Sequence, residues 1–278
     1  MLDYLFLEGQ RMPKKSIRFF NALYRSANDA GLQCEKSERY RPCKVLVVYG
    51  PGGPDRYPFV QEQIEAGRAA ILFDIGYWDR AGNNRKYRFS LNGLHPDIDM
   101  LMAGECPGPE RYEKTGQAIL PDAPKTATKR VLLVGNAPKA CAVGARGWTA
   151  SKSRQIRAVM SDYSIAWRPK PGRPRETKVE HDSVSTESIE RAIRSATFVV
   201  CKHSNVAIDA CVMGAPVICE SGAASAIYPS SLSDRRRQPT PEQRRDFLYR
   251  LAYWQWGIDE TADFWSWFFR TFPAYDYR

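Results

Sequence analysis

No stretch of this 278-residue chain approaches the roughly 18–20 consecutive apolar residues that cross a bilayer, which excludes a membrane-spanning reading. The start, Met1-Leu2-Asp3-Tyr4-Leu5-Phe6-Leu7, has neither a basic n-region nor a small-residue cleavage site, so no secretory signal is expected. Histidine is scarce. With only His95, His181 and His203 and no CxxC doublet, no pair of zinc-ligand doublets can be assembled, and no metal site is expected. The seven cysteines (34, 43, 106, 141, 201, 211, 219) are odd in number and scattered. Cys201, Cys211 and Cys219 sit inside apolar runs, where a reduced thiol behaves as a small hydrophobe. That usage predicts a reducing, cytoplasmic setting rather than a disulfide scaffold. The glycine-rich segment from Tyr49 to Arg56 lacks the Gly-Lys-Ser/Thr ending of a Walker loop.

What is present is a globular composition: 43% apolar and 12% aromatic residues, with 19 Gly and 19 Pro. The length suits one large domain or two of about 100–150 residues each. Lys and Arg number 41 against 31 Asp and Glu, a formal charge of +10. Basic runs lie at Lys14-Lys15, Arg168 to Arg175, Arg235-Arg236-Arg237 and Arg244-Arg245. Such an excess favours phosphate-rich partners such as DNA, although an ordinary soluble basic protein has the same balance.

Along the chain, the first 40 residues read as helical, with one apolar face over Ser16–Ala27 and a stop at Gly31. The continuous apolar run Lys44–Gly50 predicts a buried parallel strand. A helix over Phe59–Gly67 and a strand over Ala70–Asp74 complete a β-α-β unit. Leu120–Lys129 reads as a linker. A second series follows, with strands at 130–135, 164–168, 197–201 and 216–219 and helices at 149–161, 185–195 and 204–213. This alternation specifies a parallel sheet covered by helices. The last 40 residues read as helical, and their Trp/Phe-rich stretch from Leu251 to Phe269 as packing. The expected division is 1–127, 128–240 and a C-terminal helical segment 241–278 crossing back over both lobes. The default ligand site is the cleft between two such lobes.

The most informative segment is Cys201-Lys202-His203-Ser204-Asn205-Val206-Ala207. A buried strand ends, a polar turn follows, and Ser204 is a plausible N-cap. Free backbone N–H groups and the positive dipole end then favour a diphosphate, aided by Ser204, Asn205, Lys202 and His203. Ordinary helix capping explains the same residues equally well. Arg168-Pro169-Lys170-Pro171 ends another strand, where two cations on a stiffened backbone suit phosphate; a solvated basic loop is the other reading. Glu220 ends the strand after Pro216, placing a carboxylate where ribose hydroxyls can be accepted, or else an exposed strand-end acid.

This strand-turn-helix pattern, the Arg-Pro-Lys-Pro element and the β-α order resemble the donor-binding half of GT-B glycosyltransferases. Three further segments narrow the resemblance: Asp74–Arg80 with Ser90–Leu94, Gly135-Asn136-Ala137-Pro138-Lys139 with Val143 and Trp148, and Leu251–Trp256. Together they are similar to bacteriophage glycosyltransferases acting on modified DNA bases, over about residues 44–267. The chain departs from that pattern at Gly135-Asn136, Lys139-Ala140 and Lys170.

The resemblance implies an α/β, GT-B-like fold with two Rossmann-like lobes whose parallel sheets face a cleft. It implies transfer of a sugar from a nucleotide diphosphate sugar, UDP-sugar first, to a hydroxymethylated pyrimidine in double-stranded phage DNA in the host cytoplasm. Gly135, Asn136, Arg168, Lys170, Lys202, His203, Ser204, Asn205 and Glu220 would hold the donor, with no cofactor or metal required. The N-terminal half would supply a general base, since a hydroxymethyl group is a poor nucleophile at neutral pH. Asp74, at a strand end beside Gly76, is the first candidate and His95 the second; turn capping and a loop position are the plainer alternatives. Tyr77, Trp78 and Arg80 would stack and grip an extruded base. Gly52, Gly53 and Arg56 would form a mobile acceptor loop. A monomer or weak oligomer with no membrane contact is expected. A glycan- or lipid-directed transferase is the alternative within the same chemistry. An inactive GT-B-like module that binds DNA or nucleotide is the alternative from another class.

Overall fold

A computed structural model describes residues 1–8, 12–50, 56–82, 85–123, 128–136, 145–170 and 178–278. Gly52, Gly53, the segment 137–143 and the basic run 171–175 lie outside the described residues. In chain order the elements begin with β1 (Leu2–Leu7), α1 (Lys14–Asp29), β2 (Cys34–Ser37), β3 (Cys43–Tyr49), α2 (Tyr57–Glu65), β4 (Ala69–Ile75) and β5 (Tyr87–Leu91). Next come α3 (Ile98–Met102), α4 (Glu110–Glu113), β6 (Arg130–Val134), α5 (Trp148–Val159), β7 (Ser164–Arg168), β8 (Ser183–Val184) and α6 (Ile189–Arg194). The chain ends with β9 (Phe198–Cys201), α7 (Val206–Val212), β10 (Val217–Cys219), α8 (Pro241–Ala252), β11 (Gln255–Trp256) and α9 (Thr261–Thr271). Two compact units result: residues 1–97 with 253–278, and residues 98–252. Among the described residues no helix is long and apolar enough to cross a membrane.

The first unit carries a six-stranded sheet in the order β11-β5-β4-β3-β1-β2. β1, β2, β3 and β4 pair in parallel, whereas β4–β5 and β5–β11 are antiparallel. The β-α-β unit read from the sequence pairs in parallel, and the two antiparallel strands beside it make the expected parallel sheet a mixed one. Among the described residues no crossover helix separates β4 from β5, and a chain that returns directly pairs antiparallel. The reading of the first 40 residues as helical is also corrected, because β1 and β2 flank α1. Tyr4, Leu5 and Phe6 of β1 are fully buried, as a strand inside a covered parallel sheet must be. α1 buries Phe19, Phe20, Leu23 and Ala27 on one face. α9 buries Phe264, Trp265, Phe268 and Phe269, with the Phe264 ring 5.2 Å from Phe73 and 5.4 Å from Phe89.

The second unit carries a five-stranded, wholly parallel sheet in the order β10-β9-β6-β7-β8. The chain builds outward from β6 through β7 to β8, then returns to the other side of β6 with β9 and β10. Strand order thus reverses between β6 and β9. In open α/β sheets, the crevice outside the strand C-termini at such a reversal is where ligands bind. Val131, Leu133, Ile156, Ile165, Trp167, Val200 and Ile218 form the core beneath it.

The units do not divide at 127/128 and 240/241. Residues 98–123 go with the second unit because their backbone is tied there. Leu120 donates to the Val212 carbonyl at 2.8 Å, and Ala123 to that of Gly214 at 2.9 Å. Arg244 of α8, 2% exposed, donates to the carbonyls of Leu120 and Cys211 and to Asp122. The C-terminal segment is split: α8 belongs to the second unit, while β11 and α9 belong to the first.

Candidate functional site

The strand reversal of the second unit gathers four chain segments. β6 leads into Gly135-Asn136, and Gly135 is packed tightly: a Cβ there would lie 3.3 Å from both the Arg168 carbonyl oxygen and Trp167 Nε1. Asn136 Nδ2 reaches Thr149 Oγ1 at 3.4 Å, a long bond to the first turn of α5. α5 starts after Gly147, whose φ of +72° is the left-handed conformation glycine adopts most readily. Trp148 and Lys152, one helical turn apart, then share a face.

Both of those residues reach Glu220 at the end of β10. Trp148 Nε1 donates to Glu220 Oε2 at 2.7 Å, and Lys152 Nζ lies 3.1 Å from the same oxygen. Lys152 is only 7% exposed, and its ammonium sits 5.6 Å from the Trp148 ring centroid. Burial raises the Glu220 pKa, but the Trp148 and Lys152 bonds and the nearby Lys202 charge outweigh it and hold the carboxyl below its ordinary range. The turn after β9 is tied to the same place: Glu220 N–H donates to the Cys201 carbonyl at 3.2 Å and Ser221 N–H to that of Lys202 at 2.7 Å.

Of the expected donor residues, Gly135, Asn136, Lys202, His203, Ser204, Asn205 and Glu220 thus sit around one strand reversal. Ser204 caps the turn that opens α7: its Oγ accepts the Val206 N–H at 3.2 Å, two residues on, while Asn205 already has helical φ/ψ of −59° and −15°, and one amide expected to face a ligand is thereby occupied. Arg168 lies at the end of β7, but its guanidinium turns toward β8, donating to Ser185 Oγ at 3.0 Å and the Glu187 carbonyl at 2.8 Å. Lys170 is exposed just beyond β7. Sequence reasoning passed over Thr149 and Lys152; the available signal was a lysine four residues after Trp148 inside an amphipathic helix.

The expected acceptor residues are in the first unit. Asp74 lies near the end of β4, half-buried, with Oδ2 3.3 Å from Arg88 Nη2 and Oδ1 accepting the Ile75 N–H. Asp74 and His95 are not brought together. β5 runs back along β4, and Asn92 bonds both the N–H and the carbonyl of Ala70. The turn leading to His95 therefore leaves at the opposite end of the β4–β5 pair, about 13 Å of strand away from Asp74. Tyr77 and Trp78 are 1% and 2% exposed, so they offer no open face for stacking a base. They are core residues, fixed through their N–H groups by Gln255 Oε1. Gly76 does permit a close approach, but to protein: a Cβ there would lie 2.7 Å from the Lys86 carbonyl oxygen. Arg80 folds back on the Tyr77 carbonyl, and Arg56 is buried at the start of α2. Among the described residues no group of three His, Cys, Asp or Glu is placed to hold a metal ion.

No protein-family model and no curated protein matches the chain. Solved structures do. The chain is similar to the β Kdo 2,7 transferase of Thermosulfurimonas dismutans KpsC, with a TM-score of 0.55 and 12% identity over 94% of this chain and 99% of that one. It is also similar to the β Kdo 2,4 transferase of the same KpsC, with a TM-score of 0.53 and 11% identity over 92% of each chain. The likeness is one of fold. Both neighbours are Kdo transferases by name, and what this chain shares with them is the α/β architecture.

Proposed function

We propose that the chain is a glycosyltransferase that takes a sugar from a nucleotide-activated donor and places it on a glycan. The observation that carries this reading is the cluster at the β6/β9 strand reversal. An ionised Glu220 stands beside Lys202 and the start of α5, a set suited to a nucleotide's ribose and phosphates. The fold shared with two Kdo transferases supports the class of reaction and makes Kdo the first sugar to test. Asp74 of the first unit is the proposed general base, taking the proton of the acceptor hydroxyl as the sugar's anomeric carbon is attacked. Lys202, with the dipole of α5, would stabilise charge on the departing phosphate.

A glycan acceptor is preferred to hydroxymethylated DNA because the aromatic pair that would stack an extruded base is buried. The formal charge of +10 is what keeps DNA in the test. The full chain would be incubated with nucleotide-activated sugars, the Kdo nucleotide among them, and with acidic oligosaccharide or hydroxymethylated DNA acceptors. Products would be identified by mass spectrometry. Sugar transfer to oligosaccharide is the expected result. Transfer to DNA would reverse the acceptor assignment. Nucleotide binding without transfer to any acceptor would mark a binding module.

A further inference from the structure

Lys152 invites a simple reading as a phosphate contact, since it is a lysine near the start of a helix beside a strand reversal. The geometry argues otherwise. Its ammonium is buried and committed to Glu220, whose side chain is 36% exposed against 9% for that of Lys152. An incoming ligand therefore meets the acid first and the lysine behind it. Trp148 delivers a second donor to the same oxygen, Oε2. No bond from the described residues falls on Oε1, and a carboxylate with one oxygen clamped by two donors has its plane and its second oxygen fixed.

We infer that Trp148 and Lys152 are positioning residues that clamp Glu220 by Oε2 so that Oε1 accepts a ribose hydroxyl of the donor nucleotide. The inference rests on the donor-site reading above and adds a specificity: the site recognises ribose rather than deoxyribose, and does so through two residues that do not themselves touch the sugar. A buried lysine beneath an acid also explains why the clamp is rigid. Glu220 cannot leave without stranding the buried Lys152 ammonium, and a stranded buried charge is strongly unfavourable.

The test uses the full chain and calorimetric titration. Uridine, cytidine, adenosine and guanosine mono- and diphosphates are titrated first, and the tightest is compared with its 2′,3′-dideoxy form. The parent protein is expected to prefer the ribonucleotide by about tenfold or more, the scale of one hydrogen bond to a charged group. In Trp148→Phe and Lys152→Met that preference is expected to fall to about twofold. Affinity for the dideoxy form should stay within about twofold of the parent, the ribose contact alone being lost. Lys152→Arg should restore most of the preference.

Equal loss of both nucleotides in Lys152→Met would make the lysine a phosphate contact and overturn the inference. An undiminished preference in both variants would reduce the clamp to an ordinary tie between α5 and β10. If the parent binds nucleotide with no ribose preference, the donor site stands and the positioning role falls. If none of the eight binds, both fall. Should Lys152→Met fail to fold by circular dichroism, Trp148→Phe, which removes the N–H with one ring of the indole and keeps an aromatic in the core, decides alone.

Discussion

Arg88 faces Asp74 across the antiparallel β4–β5 pair as its register partner, with Nη2 3.3 Å from Oδ2. The guanidinium also lies 6.0 Å from the Tyr77 ring centroid, and its side chain is less exposed than that of Asp74. Arg88 is therefore the fixed member and Asp74 the one that meets solvent. If Asp74 is the acceptor's base, Asp74→Asn should lower the transfer rate by about 10²–10⁴-fold. Nucleotide affinity should remain within about twofold, because the proposed donor contacts are in the second unit. Arg88→Met should slow transfer by about tenfold through loss of orientation alone. A kinetic assay beside a binding titration separates these outcomes, and unchanged turnover in Asp74→Asn would remove the residue from the reaction.

Gln255 is a second joint in the first unit. Its Oε1 accepts the N–H groups of both Tyr77 and Trp78, at 2.9 and 3.1 Å, and the residue is 3% exposed. Replacing it with leucine leaves two buried amides without that acceptor, at about 1–3 kcal/mol each. Gln255→Leu should therefore lose about 2–6 kcal/mol in urea unfolding, while Gln255→Glu, which keeps an acceptor oxygen, should lose less. A loss below about 1 kcal/mol in the leucine variant would mean that the turn finds another acceptor.

Much of the second unit was legible in the sequence because its strands are continuous apolar runs ending in glycine or a polar turn, and its helices have one apolar face. The strand ends at Gly135, Arg168, Cys201 and Cys219 were placed within a residue, and with them the neighbourhood of Glu220. The first unit was harder. β1 carries Asp3 and lies beside a strongly amphipathic α1, so its short apolar run was absorbed into the helix. β5 and β11 pair antiparallel across residues far apart in sequence, and no local pattern reports such a pairing. The direction of the chain after β4 decided the fate of His95, and the burial of Tyr77 and Trp78 depends on Gln255, 178 and 177 residues away. The Arg168 guanidinium points away from the strand reversal because Ser185 and the Glu187 carbonyl satisfy it, a tertiary choice invisible in the Arg-Pro-Lys-Pro spacing.

Residues 120–123, the described start of the segment expected to be a linker, form a fastened strap, and two residues test it. Gly214 has φ +70°, and a Cβ there would lie 2.1 Å from the Pro121 carbonyl oxygen. Gly214→Ala therefore combines a left-handed backbone, worth about 1–2 kcal/mol, with a clash against main chain that cannot turn aside. Arg244→Met deletes donors to two carbonyls and to Asp122, at an expected cost of about 3 kcal/mol. Both variants should expose residues 114–123 to limited proteolysis before the rest of the second unit yields. Uniform resistance across that segment would show that the strap is held by other contacts.

Acid should loosen the second unit through two carboxylates. Asp182 is held below its usual pKa first by the hydrogen bond from Arg157, then by the Ile165 N–H that its Oδ2 accepts at 2.7 Å. Glu220 is held below its own ordinary value despite burial, by Trp148 and Lys152. A carboxyl whose pKa is lower in the folded state takes up more protons when unfolded. Its contribution is thus complete above the ordinary value, 3.8 for Asp182 and 4.5 for Glu220, and is lost as pH falls through the lower folded value. Melting temperature should accordingly hold steady from about pH 7 to about pH 5 and fall below about pH 4.5. Asp182→Asn and Glu220→Gln cannot titrate, so the double variant should start less stable at neutral pH and lose less on acidification, narrowing its gap to the parent. Parallel curves for the two proteins would place the acid sensitivity on other groups.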